Sequence, residues 1–216
     1  MALRPEIVSS WRRTASAGLD PGATVDPEDV AYYDHGSRLR RAAAPVLDAV
    51  AEHLAGTRYG VVLADPDSCI VDARFGQSEF EARLAALGAV PGKTFTEATT
   101  GTNSIPTAGE TQRGVAVHGE EHYLEVFKRF ACFGAPIRDP ITRRHAGVPD
   151  ITCFAEDGAP LLRPFLSSTR SPNTARRVTS RSPICLPATA SSAGQASSAR
   201  CDKRSGTDGP RSHGVL

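Results

Sequence analysis

The chain has 216 residues, of which 40% are hydrophobic and 23% charged, and its net charge is +1. That is enough for one domain with appendages and is an ordinary composition for a soluble protein. No apolar run reaches transmembrane length and the N-terminus lacks a signal-peptide core, so membrane and secretory classes are set aside and a cytoplasmic location is expected.

Residues 4–18 read as a short amphipathic helix. Ile7 and Trp11 are four apart and share a face. Trp11 is the only tryptophan, and it is expected to anchor this helix on the domain or on a second subunit. Asp20-Pro21-Gly22 is a turn, and Asp26-Pro27-Glu28 offers a helix N-cap with proline in the first turn. Ser37 to Leu54 carries the strongest helical pattern, with Leu39, Val46, Leu47, Val50 and Leu54 on one stripe. Pro45 falls inside it and is expected to kink or split the helix.

Tyr59–Ala64 and Cys69–Phe75 are strand-like and flank the turn Asp65-Pro66-Asp67-Ser68, which predicts an antiparallel hairpin. Ser78-Glu79-Phe80-Glu81 has the spacing of a capping box, opening a helix that ends at Gly88. Asn103 is an N-cap for a short helix to about Gln112, with Pro106 tolerable at its third position and Gly109 costing about 1 kcal/mol in its interior. Val115–Val117 is a short strand. Glu120–Arg129 has apolar residues at helical spacing. Ala131–Ile137 and Ala146–Thr152 are strand-like, joined by the turn at Arg138-Asp139-Pro140. Pro149 removes a ladder hydrogen bond from the last of these, and its replacement by Leu is expected to stabilise. The order of elements predicts an α+β fold, with one antiparallel sheet and helices on both faces.

Composition changes after Leu166. Seven Arg and one Lys against two Asp give residues 167–216 a net charge of +6, leaving −5 on residues 1–166. The tail has eleven Ser and no Phe, Tyr, Trp or Glu, so it is expected to be a disordered basic tail. Its scattered arginines lack the aromatics and helical spacing of a nucleic-acid site, so no specific DNA binding is expected. Ser, Arg, Pro, Thr and Ala with stray Cys185 and Cys201 is what a GC-rich gene gives in the wrong frame, and an out-of-frame tail is the expectation.

The strings TTGTNSI, RGVAVHGEEHY, APIRDP and GVPDIT, in this order, resemble the GAF sensor domain of the acetoin-catabolism activator family, bacterial transcription regulators of the sigma-54-dependent or Fis type. RPEIVSSWRR resembles the lead-in of the same proteins. The resemblance covers about residues 4–166. It implies a helical lead-in at 1–36 and a GAF-like sensor domain at 37–166 that binds a small effector. It also implies that transcriptional work falls to an ATPase domain and a helix-turn-helix. The sequence holds no Walker A pattern. Arg143 stands where the family's turn usually carries glycine.

Polar residues at element ends within 95–152 make the expected ligand pocket: Thr100, Asn103, His118, Tyr123 and Cys132. Asn103 and Thr100 equally suit plain capping. Cys132 sits in an apolar strand, which favours a core role over a reactive thiol. His118-x-x-Glu121-His122 matches an inverzincin spacing, so a small zinc metallopeptidase is the alternative reading. Gly119 follows a strand, however, so the histidines are expected to cap a helix start, without metal or other cofactor and without catalysis. A GAF-type dimerisation module without ligand is a further alternative. The expected partners are an unidentified small-molecule effector and a second copy of the chain in a homodimer.

Overall fold

Residues 3–158 are described by the computed structural model. The tail at 167–216, with the expectation that it is disordered and out of frame, lies outside the described residues. Tyr59–Ala64 (β1) and Ile70–Phe75 (β2) pair antiparallel. Asp65 shapes the turn between them, its Oδ1 accepting from the backbone N–H groups of Asp67 and Cys69 at 2.9 Å each. The other strands are β3 (Val115–His118), β4 (Phe130–Gly134), β5 (Ile137–Arg138) and β6 (His145–Phe154). They form one antiparallel sheet in the order β2-β1-β6-β4-β3, with β5 also on β6.

Side chains alternate across this sheet. Val61, Leu63 and Val71 face α2 (Arg38–Leu54) and pack on Leu47. Val62, Ile70, Val117, Phe130, Cys132 and Val148 face the larger core. There they meet Ile7 of α1 (Pro5–Ser16), Phe80 and Leu84 of α3 (Ser78–Ala85), and Ile105 and Ala108 of α4 (Ser104–Thr111). Helices therefore cover both faces, as expected.

Several local expectations are corrected. α2 runs through Pro45 as one element, starting at Ser37, whose hydroxyl accepts from Arg40 N. Packing of Leu47 on the sheet holds the turns on either side of the proline. Val46 leaves the stripe and is 64% exposed. Asp26 caps no helix; its carboxylate closes a local turn by accepting from Glu28 N. Gln77, not Ser78, is the N-cap of α3, and no side chain caps that end.

The helix expected at 120–129 is instead two 3₁₀ turns, Gly119–Glu121 and Glu125–Phe127, with extended chain between them. His122, Tyr123 and Leu124 are consecutive and all buried, which one helical stripe cannot present. The N–H groups of Tyr123 and Glu125 donate to Thr102 O and Pro21 O rather than one turn back.

The strand expected at 131–137 is divided between β4 and β5. Pro149 lies where β6 changes partner from β4 to β5. Its carbonyl accepts from Ala135 N at 3.1 Å, so its nitrogen faces the same side. The lost donor is the last of that ladder, and the strand continues past it.

Candidate functional site

Centrality in the sheet puts alternate residues of β6 deep in the core, and the sequence places Asp150 and Thr152 there. Both are buried. β4 sets Cys132 beside them, its Sγ 3.2 Å from Thr152 Oγ1. The start of α4 comes down over this strand pair. Asn103 caps it, its Oδ1 accepting from Ile105 N at 3.4 Å. Ser104 donates to Oδ1 of Asp150 at 2.5 Å. Gly134 allows the approach: a Cβ there would stand 2.7 Å from Ser104 O.

Asn103, Cys132, Asp150 and Thr152 form the polar side of a buried cavity of about 20 Å³, lined also by Val62, Ile70, Leu84, Ala89, Phe95, Ile105, Phe127 and Phe130. That is room for about one water-sized group. Burial pushes the Asp150 carboxyl up to about 6, opposed by the hydrogen bond from Ser104. Burial, and then the neighbouring Asp150, raises the Cys132 thiol well above its ordinary value. Cys132 is therefore a neutral wall residue rather than a reactive thiolate. Lys128 does not bear on it; its ammonium pairs with Glu120 and Glu125. A larger cleft of about 550 Å³ opens to solvent between Arg58, Arg83, Arg129 and Phe154. Arg58 there is paired with Glu156 and Asp157, as in a solvated surface groove.

Of the five expected pocket residues, Asn103 and Cys132 line the buried cavity. The other three stand elsewhere. Thr100 Oγ1 donates to Thr96 O and closes a turn. Tyr123 donates to Leu19 O and meets Trp11 edge-on, with ring centroids 5.4 Å apart. His118 is exposed, with Nε2 3.0 Å from Ala155 O.

The metallopeptidase reading fails on geometry. Glu121 is clamped by Arg4, with Oε1 and Oε2 at 3.0 and 2.7 Å from Nε and Nη2. His122 is fully buried, its Nδ1 3.1 Å from Gly119 O, and burial lowers it to about 4. Among the described residues no group of His, Cys, Asp and Glu is placed to hold a metal ion.

Sequence reasoning passed over Asp150, Ser104 and Thr152. A carboxylate at an inward position of the alternating run GVPDIT was the available signal. It also passed over a second polar cluster, on the outer side of α4. Ser10 of α1 donates to Glu97 Oε1 at 2.6 Å and lies 2.7 and 3.2 Å from the hydroxyls of Thr102 and Thr107. Arg13 closes the cluster with two bonds to the Glu97 carboxylate, at 2.5 and 2.7 Å. Trp11 adds a bond from Nε1 to Glu121 O at 2.9 Å.

Known proteins resemble this chain in sequence and in fold. The chain is 38% identical over 164 residues to the propane 2-monooxygenase operon transcriptional activator MimR of Mycolicibacterium goodii, which covers 74% of this chain and 27% of that protein. It is 30% identical over 161 residues to the acetoin catabolism regulatory protein of Cupriavidus necator, covering 71% of this chain and 24% of that one. The chain thus spans about a quarter of the length of these relatives. The E. coli DhaR(N)–DhaL complex matches in fold with a TM-score of 0.65 at 23% identity, over 77% of this chain and 59% of that one. No described helix is long and apolar enough to cross a membrane. The family described as "MimR, N-terminal domain" matches residues 2–173, and the chain belongs to that family, the N-terminal sensor domains of transcriptional activators.

Proposed function

We propose that this chain is the input domain of a transcription activator, in which a small molecule entering the cavity moves α4 and thereby α1. One observation carries the reading: α4 is shared by the two polar clusters. Its N-terminal end, Asn103 to Ile105, faces the cavity, while Thr107 on the same helix touches Ser10 of α1. A ligand larger than one water must displace the walls, and α4 is the wall whose displacement α1 registers. The domain binds without turning its ligand over, since burial keeps the Cys132 thiol in the cavity wall neutral. It works as a homodimer in the cytoplasm.

Thermal-shift screening of the 216-residue chain against small neutral alcohols, ketones and diols tests this. A binder raises the unfolding midpoint and changes hydrogen exchange across residues 5–16. Ile105→Phe, which fills the cavity, abolishes both effects. Binding that leaves exchange in α1 unchanged would refute the coupling.

A further inference from the structure

The cavity has two chemically distinct sides. Phe95, Ile105 and Phe127 belong to its apolar side, and Asn103, Asp150 and Thr152 to its polar side. Asp150 is 3% exposed, deep enough that an unsatisfied oxygen there is costly. Its Oδ1 takes the Ser104 hydroxyl. Among the described residues no hydrogen bond reaches Oδ2 and no ion pair involves this carboxylate. Above about pH 6, where Asp150 is ionised, the carboxylate accepts and cannot donate. A ketone or ether oxygen placed against Oδ2 would meet a second acceptor. An ammonium would pair with the carboxylate but would bring three donors to one free oxygen, leaving N–H groups against Phe95, Ile105 and Phe127 while Asn103 Oδ1 is taken by Ile105 N, a desolvation cost that the ion pair repays only in part. A hydroxyl brings one donor and no charge.

We propose that the cavity takes a short-chain uncharged alcohol, its hydroxyl donating to Oδ2 of Asp150 and its hydrocarbon body lying against Phe95, Ile105 and Phe127. The proposal rests on the sensor reading and names the chemistry of its ligand. At about 20 Å³ the space holds only the hydroxyl end, so the body enters as Ile105 and the rest of the α4 wall yield.

The test titrates the 216-residue chain with 2-butanol, 2-butanone and 2-aminobutane, which have nearly the same shape. Binding is followed by methyl NMR shifts of Val62, Leu84 and Ile105. The alcohol is expected to bind about tenfold or more tightly than the ketone, the difference that a hydrogen bond to a charged group makes. Asp150→Asn, whose amide can donate as well as accept, is expected to remove the preference. A ketone bound as tightly as the alcohol overturns the proposal and leaves the sensor reading standing. A tighter amine overturns it in favour of a cationic ligand. No binding by any of the three overturns the sensor reading as well. The comparison on the unaltered chain stands whether or not Asp150→Asn folds.

Discussion

Ser10 donates a 2.6 Å hydrogen bond to Glu97, a residue 87 positions away in the chain. This bond ties the lead-in helix to the segment before α4. Glu97 also accepts from Arg13 and Thr107. Replacing Glu97 by Ala leaves buried hydroxyls short of an acceptor. Hydrogen bonds to charged groups contribute about 1.5–3 kcal/mol, so Glu97→Ala should cost roughly 2 kcal/mol. Hydrogen exchange should speed up first in residues 5–16. Loss spread evenly over the sheet would contradict a latch confined to α1.

Asp150 and His122 should make opposite contributions to the pH dependence of stability. Asp150 is raised from 3.8 to about 6, so its contribution is present below about pH 4 and is lost as pH rises through 6. His122 is lowered from 6.5 to about 4, so its contribution is present above pH 6.5 and is lost as pH falls through 4. Between about pH 4 and 6 the two slopes cancel, each being about 1.4 kcal/mol per pH unit. Urea unfolding of Asp150→Asn should therefore show stability falling with acidification relative to the unaltered protein. His122→Gln should show it rising. A common sign in the two variants would refute the assignment.

Gly109 lies inside α4, and a Cβ there would meet nothing closer than Ser68 Oγ at 3.9 Å. Helix propensity then decides the outcome, and Gly109→Ala should stabilise by about 1 kcal/mol. The check is the midpoint of thermal unfolding; no change would mean that α4 is already distorted at this turn.

Arg143 holds a left-handed conformation, φ 61°, in the turn between β5 and β6. Such a conformation costs an L-residue about 1–2 kcal/mol, and glycine's larger unfolded-state entropy returns about 0.5–1 kcal/mol of that. Arg143→Gly should raise stability by up to about 1 kcal/mol in denaturant unfolding. A lower midpoint would show that the arginine side chain, not the turn, dominates there.

Periodicity carried much of the fold. The β1–β2 hairpin, the Asn103 cap and the amphipathic faces of α1 and α2 are written in local spacing, where 3.6 and 2 separate cleanly. The segment 119–129 was misread because Tyr123, Val126 and Phe127 have helical spacing while its N–H groups go to Thr102 and Pro21, residues that no local window contains. The site was half legible for the same reason. Asn103 and Cys132 announce themselves by a cap and a strand. The meeting of Ser104 with Asp150, 46 positions apart, depends on the order of strands in the sheet. Tyr123 packs instead on Trp11 of α1, while Thr100 and His118 bond to Thr96 O and Ala155 O.

The distances spanned by α1's contacts have a bearing on how the protein is made. Arg4, Trp11 and Arg13 find partners 117, 110 and 84 residues downstream. During synthesis this helix leaves the ribosome before Glu97 and Glu121, and its contacts are complete only when both have emerged. Closing loops of that span is slow relative to forming the hairpin at 59–75. The nascent chain therefore carries a bare amphipathic segment, with Ile7 and Trp11 uncovered, until those partners are made. α1 is made before the sheet and seated after it.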